Sequence, residues 1–470
     1  MSKPAFTDWT RPDSLTPKSD RVLSGLDHFG LKLGLERIRD LLVDLGEPHL
    51  AVPTVLIAGT NGKGSTASLL SSIARASGYR TGLFTSPHLE SLAERISVDG
   101  EAIADDDLYR HLTQILGAAE TAHKHPPTFF EALTLAAFLH YRHTGCDLAV
   151  LEVGLGGRLD ATNVSEPLVS VVTSIGLDHQ GQLGNTLTAI AGEKAGIARP
   201  HRRLIAWAEP EEVDVALRHR CNEIEAHYVP AQELVSIRTL PPRDDRPGQR
   251  GIIDTPSDSY RATLRLPGLH QLRNLALAVL TAETLAEIEP ERFGAFERKA
   301  VEAGAASASW PARLEWVDID QDRKLLLDAG HNPAGVETLL HHLNEVSPGP
   351  YDLFFGAVGD KNVGGMLPPL ARGARHVTLT RPPSHRSGDP HDWLHLVPDA
   401  PGRQARVVVD PVEAVDVALE ALPAGGVLVM TGSIYLLGDV RREIRRRYGR
   451  PAATVPREVD PAVLRNDPEH

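Results

Sequence analysis

The stretch TVLIAGTNGKGSTASLLSSIARASG (54–78) decides the fold of this 470-residue chain. It begins with a short apolar, β-rich run that stops at Gly59 and continues through a polar, glycine-rich segment. Its last part has the composition and spacing of a helix. Strand, glycine loop and helix in this order form a phosphate cradle, because the loop amides and the positive end of the helix face the anion. The stretch therefore predicts an α/β domain that binds a nucleotide.

The loop AGTNGKGST (58–66) departs from the standard pattern G-x-x-x-x-G-K-[ST]. Ile57 stands where the first glycine belongs, and Gly64 separates Lys63 from Ser65. A glycine-rich turn that happens to carry a lysine is the alternative interpretation. Since strand, loop and helix agree, we favour ATP, with Lys63 reaching the β- and γ-phosphate oxygens.

The alternation of apolar runs and helical segments continues along the chain. Runs typical of strands are 80–86, 148–154, 168–176, 324–330, 352–356, 376–380, 405–409 and 426–433. Helical spacing marks 25–48, 128–143, 270–288 and 434–449. Short apolar strands between helices are typical of a mostly parallel sheet covered on both faces. The fold class is therefore α/β, with a P-loop-containing, mostly parallel sheet domain followed by a smaller Rossmann-like α/β domain.

Composition shifts suggest where these domains end. We expect the ATP-binding domain to span residues 1–303, with the polar stretch 238–261 as an exposed insertion or hairpin outside the core. The segment GAASASWPAR (304–313) is poor in large apolar residues and predicts a boundary. The second domain then covers 310–449, and the Pro- and charge-rich tail 450–470 is expected to be disordered.

Charge and composition exclude several classes of protein. The chain has 49 Lys and Arg against 62 Asp and Glu, a net charge of −13, which argues against nucleic acid as a partner. No apolar run approaches the roughly 18 residues of a membrane span. The N-terminus lacks an apolar signal core, and two cysteines are too few for a disulfide framework or zinc site. A cytoplasmic protein without membrane contact is expected.

Polar residues at strand ends extend the predicted site. Glu152 closes an apolar strand and precedes the glycines of 154–157, so either a metal-holding carboxylate or a structural salt bridge is expected. His179 follows the next strand beside Asp178, where an imidazole can ligate a metal. Taken alone, Glu193 and Lys194 predict only a solvated pair on a helix.

Eleven short phrases, in order, resemble the bacterial dihydrofolate synthase/folylpolyglutamate synthase family, a branch of the Mur ligase superfamily. They are GTNGKGS (59–65), SPHL (86–89) with ERI (94–96), TFFEALT (128–134), LEVGLGGRLDATN (151–163), SIGLDHQ (174–180), EKAGI (193–197), LPGLHQLRN (266–274), WPARLE (310–315), LDAGHNP (327–333), FGAVGDK (355–361) and TGSIYLLGDVR (431–441). The departures are Ala-Gly in LDAGHNP, where the family commonly has Gly-Ala, and Gln271 where Asn is usual. Neither removes a proposed ligand.

The resemblance implies an ATP-dependent ligase that activates a pterin-bearing carboxylate as an acyl phosphate, which the amino group of L-glutamate then attacks. ATP, L-glutamate and dihydropteroate or a reduced folate would be its small-molecule partners. Mg²⁺, in two sites, would be the metal, because negative charge gathers around the γ-phosphoryl group. A monomer is expected.

The resemblance also assigns residues. ATP would be held by Thr60, Asn61, Gly62, Lys63, Gly64, Ser65, Asn274, Arg313, Asp328 and His331. Magnesium would be held by Ser86, Glu152, His179 and a carbamylated Lys194. Lys63, Lys194 and His179 would serve catalysis. The pterin substrate would be held by Thr128, Phe129, Phe130, Glu131, Leu159 and Asp160, with Lys32, Leu33 and Gly34 closing over it, although one of the two phenylalanines is equally expected in the helix core.

Three alternatives stay open. A UDP-muramoyl-peptide ligase shares the ATP chemistry but carries a further N-terminal domain, for which the chain before Gly59 is too short. A nucleotide-dependent switch would perform no ligation. Within the resembling family, some members only extend polyglutamate tails, whereas the TFFE and GGRLDATN segments favour a bifunctional enzyme. Since ATP would lie between the domains, domain closure is expected to assemble the site.

Overall fold

The computed structural model describes residues 17–26, 34–241, 248–320, 322–347, 349–359, 361–384 and 386–448. The chain divides into two compact units. The first comprises residues 1–237, 253–259 and 273–301, and the second comprises 238–252, 260–272 and 302–470. The predicted tail 450–470 lies outside the described residues, as do Lys32 and Leu33.

An eight-stranded sheet forms the centre of the first unit, in the order β4-β3-β2-β5-β1-β6-β7-β8. Its strands are β1 Thr54–Ala58, β2 Thr81–Phe84, β3 Ile96–Val98, β4 Glu101–Ala102, β5 Leu148–Glu152, β6 Val169–Val172, β7 Arg203–Ala206 and β8 His227–Pro230. The strands from β2 to β8 in this order are parallel to their neighbours, and β3 and β4 add an antiparallel edge. Every residue of β1, β5 and β6 is buried, which explains their continuous apolar sequence.

Helices cover this sheet, and further helices follow along the chain. They are α1 Lys18–Ser24, α2 Glu36–Asp44, α3 Lys63–Ala76, α4 Asp105–Thr121, α5 Phe129–Thr144, α6 Gln180–Leu183, α7 Leu187–Ala195, α8 Glu211–Glu223, α9 Ala231–Leu234, α10 His270–Ile288, α11 Pro290–Phe293 and α12 Arg298–Ser307. Within the predicted helical stretch 25–48, helix α2 covers Glu36–Asp44, and residues 27–33 lie outside the described residues. Helix α12 includes the first four residues of the stretch 304–313.

The polar stretch 238–261 contains a three-stranded sheet made of β9 Ser236–Leu240, β10 Gln249–Asp254 and β11 Ser259–Leu264. The hairpin expectation is therefore confirmed, but the expectation that the stretch lies outside the core is wrong. Ile253 and Tyr260 are both buried, and the inward residues of β11 alternate with exposed ones. This period of two is the signal of a half-buried strand.

The second unit contains a six-stranded sheet in the order β12-β13-β17-β14-β15-β16. Its strands are β12 Glu315–Asp318, β13 Lys324–Asp328, β14 Tyr351–Phe355, β15 Ala374–Leu379, β16 Gln404–Val407 and β17 Val427–Thr431. Its helices are α13 Pro333–Val346, α14 Val363–Arg372, α15 Pro411–Ala421 and α16 Ile434–Tyr448. Only β12 runs antiparallel to its neighbour, so the predicted α/β class is confirmed for both units. Within the described residues, no helix combines the length and the hydropathy that a membrane crossing needs.

Candidate active site

The phosphate loop lies at the carboxyl end of the central strand β1 and leads into α3. Its first two glycines adopt φ angles of 152° at Gly59 and 87° at Gly62. A Cβ atom at Gly59 would lie 1.8 Å from Oγ1 of Thr173, and one at Gly62 would lie 2.6 Å from Oδ1 of Asn274. Both positions require glycine because the backbone conformation and the close neighbours exclude a side chain.

The end of β6 fixes the shape of this loop. The amide of Thr60 donates to the carbonyl of Ser174 over 2.6 Å, and the Thr60 hydroxyl donates to the carbonyl of Gly176 over 3.1 Å. The hydroxyl of Thr173 donates to the carbonyl of Asn61 over 2.7 Å. Since β1 and β6 are neighbours in the sheet, the loop is held in place by its own scaffold. Such preorganisation is what an anion site requires, because the donors then need no rearrangement when charge arrives.

Two lysine side chains meet beneath the loop. Nζ of Lys63 lies 3.2 Å from the carbonyl oxygen of Gly59, and Nζ of Lys194 lies 2.7 Å from the same oxygen. Lys194 is only 4% exposed, so the solvated pair expected from its local sequence is wrong for this residue. Burial, and then the charge of Lys63, lower the pKa of Lys194 to about 7, although Asp178 and Asp160 act in the opposite direction.

The other predicted metal ligands occupy neighbouring strand ends. Glu152 is 5% exposed at the end of β5, and its Oε2 accepts the amide of Ser86 over 3.1 Å. His179 follows β6 in a left-handed conformation, with its side chain one-third exposed and Nε2 3.9 Å from Oδ1 of Asp178. Mg²⁺ prefers oxygen ligands and keeps waters and substrate phosphate in its shell. A buried carboxylate beside a serine fits that chemistry.

No group of three or more His, Cys, Asp or Glu side chains in the described part of the chain is arranged to hold a metal. The predicted ligand set does not depend on such a group, because it contains only Glu152 and His179 of those types. The remaining oxygens would come from Ser86, from a modified Lys194 and from the substrate.

The glycine-rich loop after β5 packs against the helix that carries Lys194. A Cβ at Gly157 would lie 2.9 Å from the carbonyl oxygen of Glu193. The carboxylate of Asp160 accepts the amides of Leu155 and Thr162 over 2.9 and 3.0 Å. Burial raises the pKa of Asp160. Asp160 therefore shapes this loop, and Leu159 beside it is half-buried.

The predicted pterin segment begins α5. Thr128 caps the helix, with its hydroxyl accepting the amide of Glu131, while the Glu131 carboxylate accepts the amide of Thr128 over 2.7 Å. Nε of Arg37 lies 2.9 Å from Oε2 of Glu131, and Nη2 lies 3.1 Å from Oε1. Both carboxylate oxygens of Glu131 therefore accept hydrogen bonds from within the protein. Glu131 holds the segment in place, whatever else it contacts.

The two phenylalanines of this segment have different surroundings. Phe130 packs against Phe84 with ring centroids 5.8 Å apart, and a Cβ at Gly154 would lie 2.6 Å from its ring. Phe129 lies under the guanidinium of Arg95, which is 5.3 Å from the ring centroid. Both rings are nevertheless partly buried and pack against the hydrophobic core of the first unit.

Arg95 is a residue that the sequence argument did not select. It is 7% exposed, and its Nε donates to Nδ1 of His88 over 3.0 Å. The two residues lie in the phrases SPHL and ERI, but the resemblance assigned a role to neither of them. A buried cation over an aromatic ring can hold a planar or anionic substrate nearby. The signal was present, but sequence alone does not show that the arginine is buried.

The remaining predicted ATP residues are placed as follows. Asn274 lies on α10, is 7% exposed and faces Gly62.

In the second unit, Asp328 ends β13 and accepts the amides of Leu314 and Gly330 over 3.0 and 2.9 Å. Burial raises the pKa of Asp328, and Arg313 partly offsets this. Nδ1 of His331 lies 3.0 Å from the carbonyl oxygen of Ala329. Gly34, the described member of the predicted 32–34 segment, has a φ of 149°.

Comparisons with known proteins identify the family of the chain. The Mur ligase middle domain matches residues 57–282, and the Mur ligase glutamate ligase domain matches residues 312–434. The dihydrofolate synthase/folylpolyglutamate synthase of Bacillus subtilis is 33% identical over 428 residues, covering 89% of this chain and 96% of the relative. The chain belongs to the dihydrofolate synthase/folylpolyglutamate synthase family of Mur ligases. It is accordingly an ATP-dependent ligase that joins glutamate to folates.

Solved structures of this family share the fold. The folylpolyglutamate synthase of Mycobacterium tuberculosis complexed with ADP and AMPPCP superposes with a TM-score of 0.79 at 30% identity, covering 92% of this chain and 98% of that one. E. coli FolC in complex with DHPP and ADP gives a TM-score of 0.78 at 27% identity, covering 93% and 100%. The family fold therefore extends over nearly all of the chain.

Proposed function

We propose that this protein is bifunctional, adding L-glutamate both to dihydropteroate and to the glutamyl tail of reduced folates. The observation that carries the ligation chemistry is the arrangement of Lys63, Lys194 and the Gly59 carbonyl beneath a phosphate loop of fixed shape. The segments TFFE and GGRLDATN favour the bifunctional enzyme. The family relationship supplies the reaction class. The alternative within the family is tail extension alone.

The chemistry follows from the site. The γ-phosphoryl group of ATP passes to the substrate carboxylate, and the C–O bond of the resulting acyl phosphate breaks when the glutamate amine attacks the carbonyl carbon. An amide, ADP and phosphate are formed. Lys63 and the loop amides would balance the charge on the phosphoryl oxygens, and Asn274 would contact the adenine. Bound Mg²⁺, held by Ser86, Glu152 and His179, would lower the barrier to phosphoryl transfer by charge neutralisation.

We further propose that Lys194 is carbamylated. A pKa of about 7 leaves a substantial share of the amine uncharged near neutral pH, and only the uncharged amine can attack CO₂. Attack of the nitrogen lone pair on the carbon and loss of an N–H proton would yield a carbamate anion. Carbamylation would replace a positive charge beside Lys63 by a negative one, and the carbamate would offer oxygens to a second Mg²⁺.

For the phenylalanine segment and its surroundings, we propose a pterin site. Thr128, Phe129, Phe130, Glu131, Leu159 and Asp160 would line or support it, with Arg95 as an added contact over Phe129. The domain limits 1–303 and 310–449 and a monomeric state remain proposals. A cytoplasmic location is also proposed, and the free thiols of Cys146 and Cys221 are consistent with a reducing compartment.

The deciding experiment supplies the purified protein with ATP, glutamate and either dihydropteroate or a monoglutamyl reduced folate. Glutamate-dependent product and phosphate from both acceptors is the expected result. Product from the reduced folate alone would contradict bifunctionality. Phosphate release independent of both glutamate and acceptor would favour a nucleotide switch.

A further inference from the structure

The turn that carries Arg313 in the second unit has an unusual backbone. Ala312 and Leu314, on either side of Arg313, adopt φ angles of 55° and 50°. The left-handed region disfavours residues with a Cβ, and an isolated turn would not hold two of them around one arginine. Such a conformation persists only where the surroundings impose it.

Two buried carboxylates impose it. Oε2 of Glu315 accepts the amide of Ala312 over 2.7 Å, and Oδ2 of Asp328 accepts the amide of Leu314 over 3.0 Å. The carbonyl of Ala312 in turn accepts the amide of Ala329 over 2.9 Å. Both residues that flank Arg313 are therefore tied to the strands β12 and β13.

The ion-pair partner of Glu315 is Arg441, which is not among the predicted site residues. Nη2 of Arg441, on α16, lies 2.8 Å from Oε1 of Glu315, and Nε lies 3.0 Å from Oε2. The two side chains are 6% and 7% exposed. A bidentate pair of this kind fixes the orientation of the carboxylate, so that Oε2 of Glu315 stays directed at the amide of Ala312.

Stability alone gives a weak reason for this pair. Burying two charges costs about as much as their attraction returns, and apolar residues of similar volume often serve a core as well. An apolar residue at position 315 would leave the amide of Ala312 without its acceptor. The Glu315 carboxylate is needed as the acceptor of the Ala312 amide, and Arg441 holds this carboxylate in its orientation.

We propose that Arg441 is a positioning residue for nucleotide binding, acting through Glu315 and the Ala312 amide on Arg313. The proposal rests on the proposed function and on the ATP contact of Arg313 that the family resemblance implies. Arg441 belongs to the phrase TGSIYLLGDVR, to which the ligase chemistry assigned no role. Misplacement of a substrate-positioning group by about 1 Å can cost about 100-fold in rate.

The test measures ATP affinity and steady-state kinetics of the full chain carrying Arg441→Met, Glu315→Gln or Arg313→Ala. Arg446→Met is the matched control, since Arg446 pairs with Glu443 on the same helix while its side chain is 70% exposed. Arg441→Met is expected to raise the KM and Kd for ATP about tenfold while leaving the KM for glutamate unchanged. The control should match the wild type.

The double variant separates positioning from general destabilisation. In the Arg313→Ala background, Arg441→Met should cause little further loss of ATP affinity, because its effect passes through Arg313. An equal loss in both backgrounds, or a parallel rise in the KM of every substrate, would overturn the proposal. If Arg441→Met does not fold, Glu315→Gln and Arg441→Lys make the same comparison.

The outcomes also distinguish this proposal from the function on which it rests. Normal ATP affinity in Arg313→Ala would refute the ATP contact of Arg313, and the positioning role of Arg441 with it. Weakened binding in Arg313→Ala together with normal binding in both Arg441→Met and Glu315→Gln would leave the ATP contact intact and refute the positioning role alone.

Discussion

Lys63, at the start of α3, and Lys194, near the end of α7, donate to the same acceptor, the carbonyl oxygen of Gly59. Two ammonium groups on a single oxygen repel each other, and burial removes the water that would screen them. The conflict is relieved if Lys194 loses its proton, and this is the direction in which its pKa moves. The negative charge of a bound triphosphate would offset the positive charge of Lys63.

Bicarbonate should therefore modify Lys194. Incubation near pH 8 is expected to add the mass of one CO₂, detected by native mass spectrometry or by the carbamate carbon signal with ¹³C-bicarbonate. Lys194→Ala should lose ligase activity and regain part of it with acetate, which supplies a small carboxylate to the vacated space. Full activity of Lys194→Ala without acetate would dismiss the carbamate.

The pH dependence of folding gives a second test of Lys194. The group titrates at about 7 in the folded chain and at its ordinary value of 10.5 when unfolded. Between these values the unfolded chain holds a proton that the folded chain lacks, so the free energy of unfolding rises with pH over this window. In CO₂-free buffer, denaturant titrations should show this rise in the wild type. Lys194→Met should show a smaller rise, and identical slopes would refute the lowered pKa.

Removal of the loop lysine should affect chemistry and leave folding intact. Lys63→Ala is expected to lower kcat for ligation about 100-fold or more, because the charge that meets the transferred phosphoryl group is gone. Its melting temperature should stay close to that of the wild type. Lys124→Ala is the control, since Lys124 pairs with Asp44 at the surface. Near-normal turnover in Lys63→Ala would contradict the assignment of the phosphate loop.

Sequence patterns predicted the central strands and the phosphate loop because these depend on local signals. Apolar runs identify buried parallel strands, and the glycines of 59–64 identify a turn before a helix. The burial of Lys194 did not follow from its neighbours, since it depends on packing against Gly157 and the Gly59 carbonyl, which are distant in sequence. Only the family resemblance singled out this lysine.

Two further features could not be predicted from the sequence for similar physical reasons. Ala312 and Leu314 carry no mark of a left-handed backbone, because the hydrogen bonds of Glu315 and Asp328 impose it. The partner of Glu315, Arg441, lies 126 residues away. The burial of β11, by contrast, was signalled by the alternation of polar and apolar residues in SYRATL, and the polar composition of the surrounding stretch concealed it.

The glycines of the chain offer a matched test of the loop. Gly62 and Gly78 have φ angles of 87° and 88°, but a Cβ at Gly62 would meet Asn274 whereas one at Gly78 would meet nothing within 4 Å. Gly78→Ala should cost about 1 kcal/mol of stability, from backbone strain alone. Gly62→Ala should show the same strain and also displace Asn274, which raises the Kd for ATP. Equal ATP affinity in the two variants would contradict the proposed adenine contact.

The last prediction concerns the ion pair at the start of the proposed pterin segment. Arg37 and Glu131 form a bidentate pair with side chains 19% and 8% exposed, and Glu131 also holds the first turn of α5. Arg37→Met should lower the free energy of unfolding by about 3 kcal/mol, because it leaves a buried carboxylate without its cation. The KM for the pterin or folate substrate should rise while the KM for ATP does not, since the displaced helix turn carries Phe129 and Phe130. Arg218→Met, which breaks the surface pair with Asp214, is the control and should change stability by less than about 1 kcal/mol. A parallel rise in both KM values would show that Arg37 supports the whole unit and not the substrate segment in particular.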